Sequence, residues 1–194
     1  MNKDKPRIDP RIIRTRQLLK DAFVELLQEM DIEKITVNRI AERATVNRVT
    51  FYLHYRDIPD MLEKLADEMS EEIRTALDSS MMQPNATERV DYRIMVGILE
   101  HIAQNAKFYK VVLGSRRTPI FTERLLKMMS ETILQKLEHE KETSISRAGI
   151  QKDIFIWYSS AALIGTIVSW LRHDMPYTPE YLAQQFSLLR SHQV

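Results

Sequence analysis

Between residues 36 and 55 the chain reads TVNRIAERATVNRVTFYLHY. Asn47, Arg48 and Thr50 crowd polar groups into four successive positions. These residue types suit base edges and phosphate oxygens, because a guanidinium forks onto guanine and amides or hydroxyls reach bases and backbone. Covalent and metal chemistry finds less. The five histidines (His54, His101, His139, His173 and His192) are scattered. They form no HExxH, and no G-x-S-x-G, phosphate-binding loop or dinucleotide fingerprint is present. Glu100-His101 and Glu138-His139-Glu140 are sequence neighbours, which do not share a helix face. With no cysteine there is neither a disulfide nor a thiolate metal site. The expectation is a binding protein rather than an enzyme, with no cofactor and no metal.

Short helices must position those polar groups. Thr36 is an N-cap type, and Val37, Ile40, Ala41 and Ala44 form a short apolar stripe behind it. Thr45 and Val46 are β-branched and extend a helix poorly. Asn47 can cap a second helix carrying Val49, Phe51, Tyr52 and Tyr55. Two short helices with about three residues between them make helix-turn-helix geometry, here without the glycine often found in the turn. Arg48 and Thr50 then lie at the start of the second helix, the end expected to enter a major groove. A helix over about 11–30 precedes the pair, with Ile12, Leu19, Phe23, Leu26, Leu27 and Met30 at helical spacing. Phe51 and Tyr55 are expected to lock the second helix onto Phe23, Ile40, Ala41 and Ala44. Residues 1–10 are polar, with Lys3, Lys5 and Arg7, and Arg11 continues the basic run. A solvated terminus and a DNA-reaching arm are both consistent with it.

Asp57 can cap the next helix, with Asp60 completing a box-like pair and Pro59 in the first turn. Met61, Leu62, Leu65, Met69, Ile73 and Leu77 make that helix amphipathic over about 58–79. A break at 79–87 follows. Further helices are expected at 88–103, 105–113 with Asn105 as cap, 119–141, 150–173 and 178–190, with a polar loop near 141–149. Tyr92, Met95, Leu99, Tyr109, Phe121, Met128, Trp157 and Tyr158 are the candidates for lining a small-molecule pocket. Plain core is the competing reading for each. The helix at 150–173 is apolar on more than one face. Ala161, Ala162, Gly165, Val168 and Trp170, with Leu182, Phe186 and Leu189 from the last helix, are assigned to a dimer interface. The competing reading makes that helix the buried centre of a monomeric body. The whole chain reads as all-α, about nine helices. It comprises an N-terminal three-helix domain (1–56), a connecting helix (57–79), and a C-terminal helical body (80–194).

Composition agrees with this. Of 194 residues 44% are hydrophobic and 28% charged, which is ordinary globular composition. Net charge is only +1, but the first 56 residues hold twelve Lys/Arg against eight Asp/Glu, leaving the remainder at −3. A locally positive surface is what duplex DNA attracts. The opening MNKDKPRIDP has no apolar run, so no signal peptide is expected. The most apolar stretch, Ser159 to Leu171, is about 13 residues where a bilayer needs roughly 20. A cytoplasmic protein without a membrane segment is expected.

The stretch IRTRQLLKDAFVELLQEM…ITVNRIAERATVNRVTFYLHYRDIPDML resembles the TetR/AcrR family of bacterial transcriptional regulators. The tail WYSSAALIGTIVSWLRHDMPYTPEYLAQQFSLL is similar to a C-terminal class that includes regulators like the dihydroxyacetone-kinase operon activator. The resemblance implies a two-fold dimer on a palindromic double-stranded DNA operator, and makes 80–194 an effector-binding and dimerisation domain with an inducer pocket for a small-molecule effector. Most such proteins are repressors released by ligand, and some activate. By family position Asn47, Arg48, Val49 and Thr50 face bases. Tyr52 and His54 match positions that touch the DNA backbone, surface packing being the alternative for both, and Thr36 would serve as cap and phosphate donor. Arg39 and Arg43 lie either near the backbone or on a solvated face. Three departures stand out: Thr45 replaces the turn glycine, Val49 a small residue, and Ile58 a phosphate-contacting lysine. A DNA-binding protein of this fold with a non-transcriptional partner, and a relative whose DNA face has decayed, are the other readings.

Overall fold

The computed structural model describes residues 9–81, 90–115, 117–139 and 149–191, and among them it is all-helical. The elements are α1 (Pro10–Glu29), a 3-10 turn (Ile32–Lys34), α2 (Val37–Arg43), α3 (Arg48–Tyr52), α4 (Ile58–Met81), α5 (Val90–Gln104), α6 (Ala106–Gly114), α7 (Pro119–His139), α8 (Lys152–Arg172) and α9 (Pro179–Ser191). The chain divides into two compact units inside α4, after Leu65. The break at 79–87 and the loop near 141–149 lie almost wholly outside the described residues.

The first unit is closed by its caps. Asp9 Oδ1 accepts the Arg11 N–H at 2.8 Å and starts α1. Thr36 Oγ1 accepts the Arg39 N–H, and Asn47 Oδ1 accepts the Val49 N–H. Each cap satisfies a donor that the helix itself leaves open. Leu19, Phe23, Leu26, Ile35, Ile40, Ala41, Ala44, Phe51 and Tyr55 form the core, with Phe23, Ile40 and Phe51 fully sequestered. Burying each of these larger side chains stabilises the unit by about 1.5–3 kcal/mol relative to exposure.

The α2–α3 turn shows how the chain manages without glycine. The Val46 N–H donates to the Ala41 carbonyl and the Thr45 N–H to that of Glu42. This is the Schellman termination, which requires a left-handed residue, and Thr45 supplies it at φ 56°. A β-branched residue there costs about 1–2 kcal/mol. The same termination closes α8, where Met175 donates to Trp170 and Asp174, at φ 57°, to Leu171.

At α4 the box closes differently from expectation. Asp57 Oδ1 accepts the Asp60 N–H at 2.8 Å, but Asp60 reaches back to the N–H of Arg56, not of Asp57. Asp60 also meets Arg56 Nε and Lys64 Nζ, and its pKa falls to about 2. The backbone hydrogen bond from Arg56 is the largest cause.

In the second unit α5 packs on α9, α7 on α8, and α6 on α7 and α8. Met69, Ile73, Leu99, Ile102, Tyr109, Phe121, Leu125 and Ile164 are buried there. Asn105 precedes α6 but makes no side-chain cap; its amide donates back to the His101 carbonyl. The reason is conformational, since its φ of −111° and ψ of 27° lie outside the extended geometry of a capping residue. Tyr109 sits at the centre, 2.9 Å from His101 Nε2, and its pKa is pushed up by burial and then by the charge of Glu72. By length and composition α8 could cross a membrane; it packs one side, including buried Ser160, on α6 and α7 and leaves the other exposed.

Candidate nucleic-acid interface

The three arginines of α2 and α3 have different fates. Arg43 makes two contacts to Glu29, at 2.7 and 2.8 Å, and one to Glu25 at 3.5 Å, tying α2 to α1. That hydrogen-bonded pairing lowers the Glu29 pKa and raises that of Arg43. Arg39 Nη1 donates to the Lys34 carbonyl at 2.8 Å and meets Met30 Sδ at 3.1 Å. Both side chains buttress the three-helix unit. Arg48 instead bonds within its own helix, from Nε (3.3 Å) and Nη2 (2.9 Å) to the Tyr52 hydroxyl. All three arginines are exposed, and Arg48 is the one whose bonds stay within α3.

Around it lie the other expected residues. Asn47 is exposed, and its side-chain oxygen is occupied by the cap, which leaves the amide N–H donors available. Val49 is 65% exposed and Tyr52 45%. Thr50 is half-buried. Exposed Thr36 accepts its cap bond and keeps one hydroxyl proton to donate. The α3 face therefore brings Asn47, Arg48, Val49 and Tyr52 into solvent together. Sequence reasoning passed over Leu53, 76% exposed, whose N–H donates to the Val49 carbonyl one turn back. The i, i+4 spacing from Val49 was the signal that could have found it.

His54 is half-buried, and Lys64 Nζ donates to its carbonyl at 2.9 Å. Burial, then the charges of Arg16 and Lys64, lowers its pKa, so the ring is neutral at pH 7. The sign follows: with the folded value below the ordinary one of about 6.5, His54 contributes stability that is complete above pH 6.5. That contribution is lost as pH falls through the lowered value. We expect the denaturation midpoint to drop between pH 7 and 5, and to drop less in His54→Gln. Equal drops in both proteins would assign the acid sensitivity elsewhere.

The residues assigned to effector binding separate into three groups. Leu99, Tyr109, Phe121 and Met128 are buried, and Phe108 joins Tyr109 and Phe121 edge-on at 5.4 and 5.7 Å. Tyr92 and Met95 are half-buried, and the Tyr92 hydroxyl donates to the Glu180 carbonyl. Trp157 and Tyr158, 64% and 57% exposed, point out of the body, so they line no interior pocket in one chain. An open cleft of about 170 Å³ lies between α4 and α7, lined by Arg74, Leu77, Asp78, Met128, Glu131, Thr132 and Gln135. Of the eight candidates Met128 reaches it.

The dimerisation set also divides. Ala161, Ala162, Gly165 and Leu189 are exposed and Val168 is half-buried. Trp170, Leu182 and Phe186 are instead core residues of their own chain, at 4, 7 and 8% exposure. Trp170 Nε1–H donates to the Tyr177 carbonyl at 2.9 Å, which fixes the indole inward. The outward stripe of α8 runs through Ile154, Trp157, Tyr158, Ala161, Ala162 and Gly165.

Residues 19–65 match the family described as bacterial regulatory proteins, tetR family, and residues 92–191 match a transcriptional regulator C-terminal region. An uncharacterized HTH-type transcriptional regulator of Bacillus subtilis, YxbF, is 26% identical over 86% of this chain, which spans 42% of that relative's length. The HTH-type transcriptional regulator BetI of Escherichia coli is 27% identical over 90% of this chain and 89% of its own. A TetR transcriptional regulator from Streptococcus agalactiae superposes with a TM-score of 0.66 at 26% identity, covering 92% of this chain and 94% of that one. The dihydroxyacetone kinase operon activator DhaS shares the fold, with a TM-score of 0.59 at 18% identity over 94% of this chain and 97% of its own.

Proposed function

Because this chain belongs to the TetR family of bacterial regulatory proteins, we propose that it is a transcriptional regulator acting in the cytoplasm as a homodimeric repressor. In this reading it sits on a palindromic operator and is released by a small molecule. The observation that carries the DNA half is Arg48. It is exposed on α3 beside Val49 and Tyr52, while Arg39 and Arg43, though exposed, are bonded to the Lys34 carbonyl and to Glu29. In this arrangement Asn47, Arg48, Val49 and Thr50 meet base edges, with Arg48 on a guanine and Val49 against a thymine methyl. Thr36, Tyr52 and His54 meet the backbone, His54 as a neutral donor.

Two heads must read two half-sites about 34–36 Å apart, which calls for a symmetric pair. The exposed stripe of α8, with Leu188 and Leu189 of α9, is the surface we assign to that pairing. The cleft between α4 and α7 is the assigned entry for the effector. Its rim of Arg74, Asp78 and Glu131 over Leu77 and Met128 suits a ligand with both polar and apolar parts. Because α4 lines it, ligand binding there has a direct means of moving that helix.

Genome-wide mapping of bound sites tests the reading, followed by affinity measurements on a mapped operator. Arg48→Ala is expected to cost about 1–3 kcal/mol and to relax base preference at one position per half-site. Unchanged binding and preference would remove Arg48 from the base-reading role. Loss of operator binding on titrating a ligand that protects the cleft would support repression by release. Ligand-enhanced binding would point to activation.

A further inference from the structure

A guanidinium has five N–H donors on two useful edges. In this structure the side-on edge of Arg48, Nε and Nη2, is already occupied: both atoms lie on the Tyr52 hydroxyl, at 3.3 and 2.9 Å. The guanidinium carbon is 5.4 Å from the Tyr52 ring centroid, close enough for the ring to attract the cation. The ring in turn is held edge-on against buried Phe51, with centroids 5.6 Å apart at 87°. A rigid core residue thus holds an aromatic ring, and the ring's oxygen holds an arginine.

We propose that Tyr52 is a positioning residue for Arg48, fixing the guanidinium so that its end-on edge is presented to a base pair. The free edge keeps both N–H groups of Nη1 and one of Nη2, the fork that matches guanine O6 and N7. The phenol accepts two hydrogen bonds from Arg48 and retains its proton, which is free to go to a phosphate. One hydroxyl therefore ties base reading to backbone contact. Without it Arg48 would lose its orientation before binding and would have to be ordered on the DNA, which weakens selectivity. The spacing of four residues on α3 places the two side chains on one face. This rests on the DNA-reading assignment above and adds to Tyr52 a role in selectivity that a phosphate contact alone lacks.

The test uses the full chain, a mapped operator, and operator variants changed one base pair at a time. Wild type, Arg48→Ala, Tyr52→Phe and the double variant are compared, with thermal melts to check folding. Phenylalanine keeps the ring against Phe51 and removes only the oxygen. Tyr52→Phe is expected to reduce discrimination by about three- to tenfold at the position that Arg48→Ala relaxes, and at no other position. In the Arg48→Ala background the same change should leave discrimination as it is. A uniform loss across all operator variants, with discrimination intact, would overturn the proposal and leave Tyr52 a backbone contact. Arg48→Ala with full discrimination would overturn it too. A wild-type chain without any sequence preference would overturn the DNA-reading assignment as well, and is recognisable before any substitution is made.

Discussion

Gly165→Glu is expected to give a folded chain that no longer pairs and no longer holds its operator. Gly165 lies exposed on α8 between Ala161, Ala162 and Val168, and a Cβ built there meets nothing within 4 Å of its own chain. The single chain therefore has room for a larger residue, apart from the helix preference of glutamate, which exceeds that of glycine. In a close-packed symmetric interface the same change puts two carboxylates against each other and separates the backbones. Sedimentation should fall from about twice the 22.8 kDa chain mass to that mass, with helical content and melting temperature nearly kept. A variant that unfolds would place α8 in the centre of a monomeric body, and one that stays dimeric would move the interface off this face. A monomeric wild type that binds its operator tightly would have the same consequence.

Phe51→Ala is expected to fail in the opposite way. Phe51 is fully buried and touches Tyr52 and Tyr55 at ring distances of 5.6 and 5.5 Å. Removing a buried phenyl ring costs about 3–5 kcal/mol, a large share of the 5–15 kcal/mol that holds a typical domain together. The first unit has a small core of its own, so it should melt early while the second unit keeps its fold and its pairing. Calorimetry would then show a low-temperature transition absent from wild type, with operator binding lost and sedimentation mass unchanged. A single unshifted transition would remove Phe51 from its role as the keystone of α3.

The local chemistry of the reading head was legible because it is written in neighbouring residues. Thr36 and Asn47 cap helices through atoms two or three positions away, and a sequence contains all the parts of such a bond. The turn was harder. Thr45 and Val46 argue that a helix stops, but a left-handed threonine is disclosed only by the carbonyls it satisfies. Arg39 and Arg43 illustrate the next level of difficulty. Their partners, Lys34 and Met30, and Glu25 and Glu29, depend on where α2 meets the preceding segment, so the sequence alone left them undecided between phosphate and solvent.

The body was least legible for a related reason. Its α8 carries apolar residues nearly all the way round, so periodicity could mark it as unusual without saying which side faced home. Trp157 and Trp170 illustrate this. Both are large and apolar, yet Trp170 turns inward to the Tyr177 carbonyl and Trp157 outward. The two assignments exchange places: the tryptophan expected in the pocket lies on the outer face, and the one expected on the interface lies in the core. Neighbouring helices decide that exchange, and they are distant in sequence.

The internal ion pairs of the reading head bear on how binding responds to ionic strength. Every phosphate neutralised by a protein cation frees condensed counterions, and the affinity for duplex DNA falls with salt roughly in proportion to that number. Twelve lysines and arginines in the first 56 residues would suggest a steep dependence. But three of the twelve already have protein partners: Arg43 faces Glu25 and Glu29, Arg56 faces Asp60, and Arg39 is turned onto the Lys34 carbonyl. A head built this way is expected to show a shallower salt dependence than its twelve cations suggest, which operator affinity measured across a salt series would check.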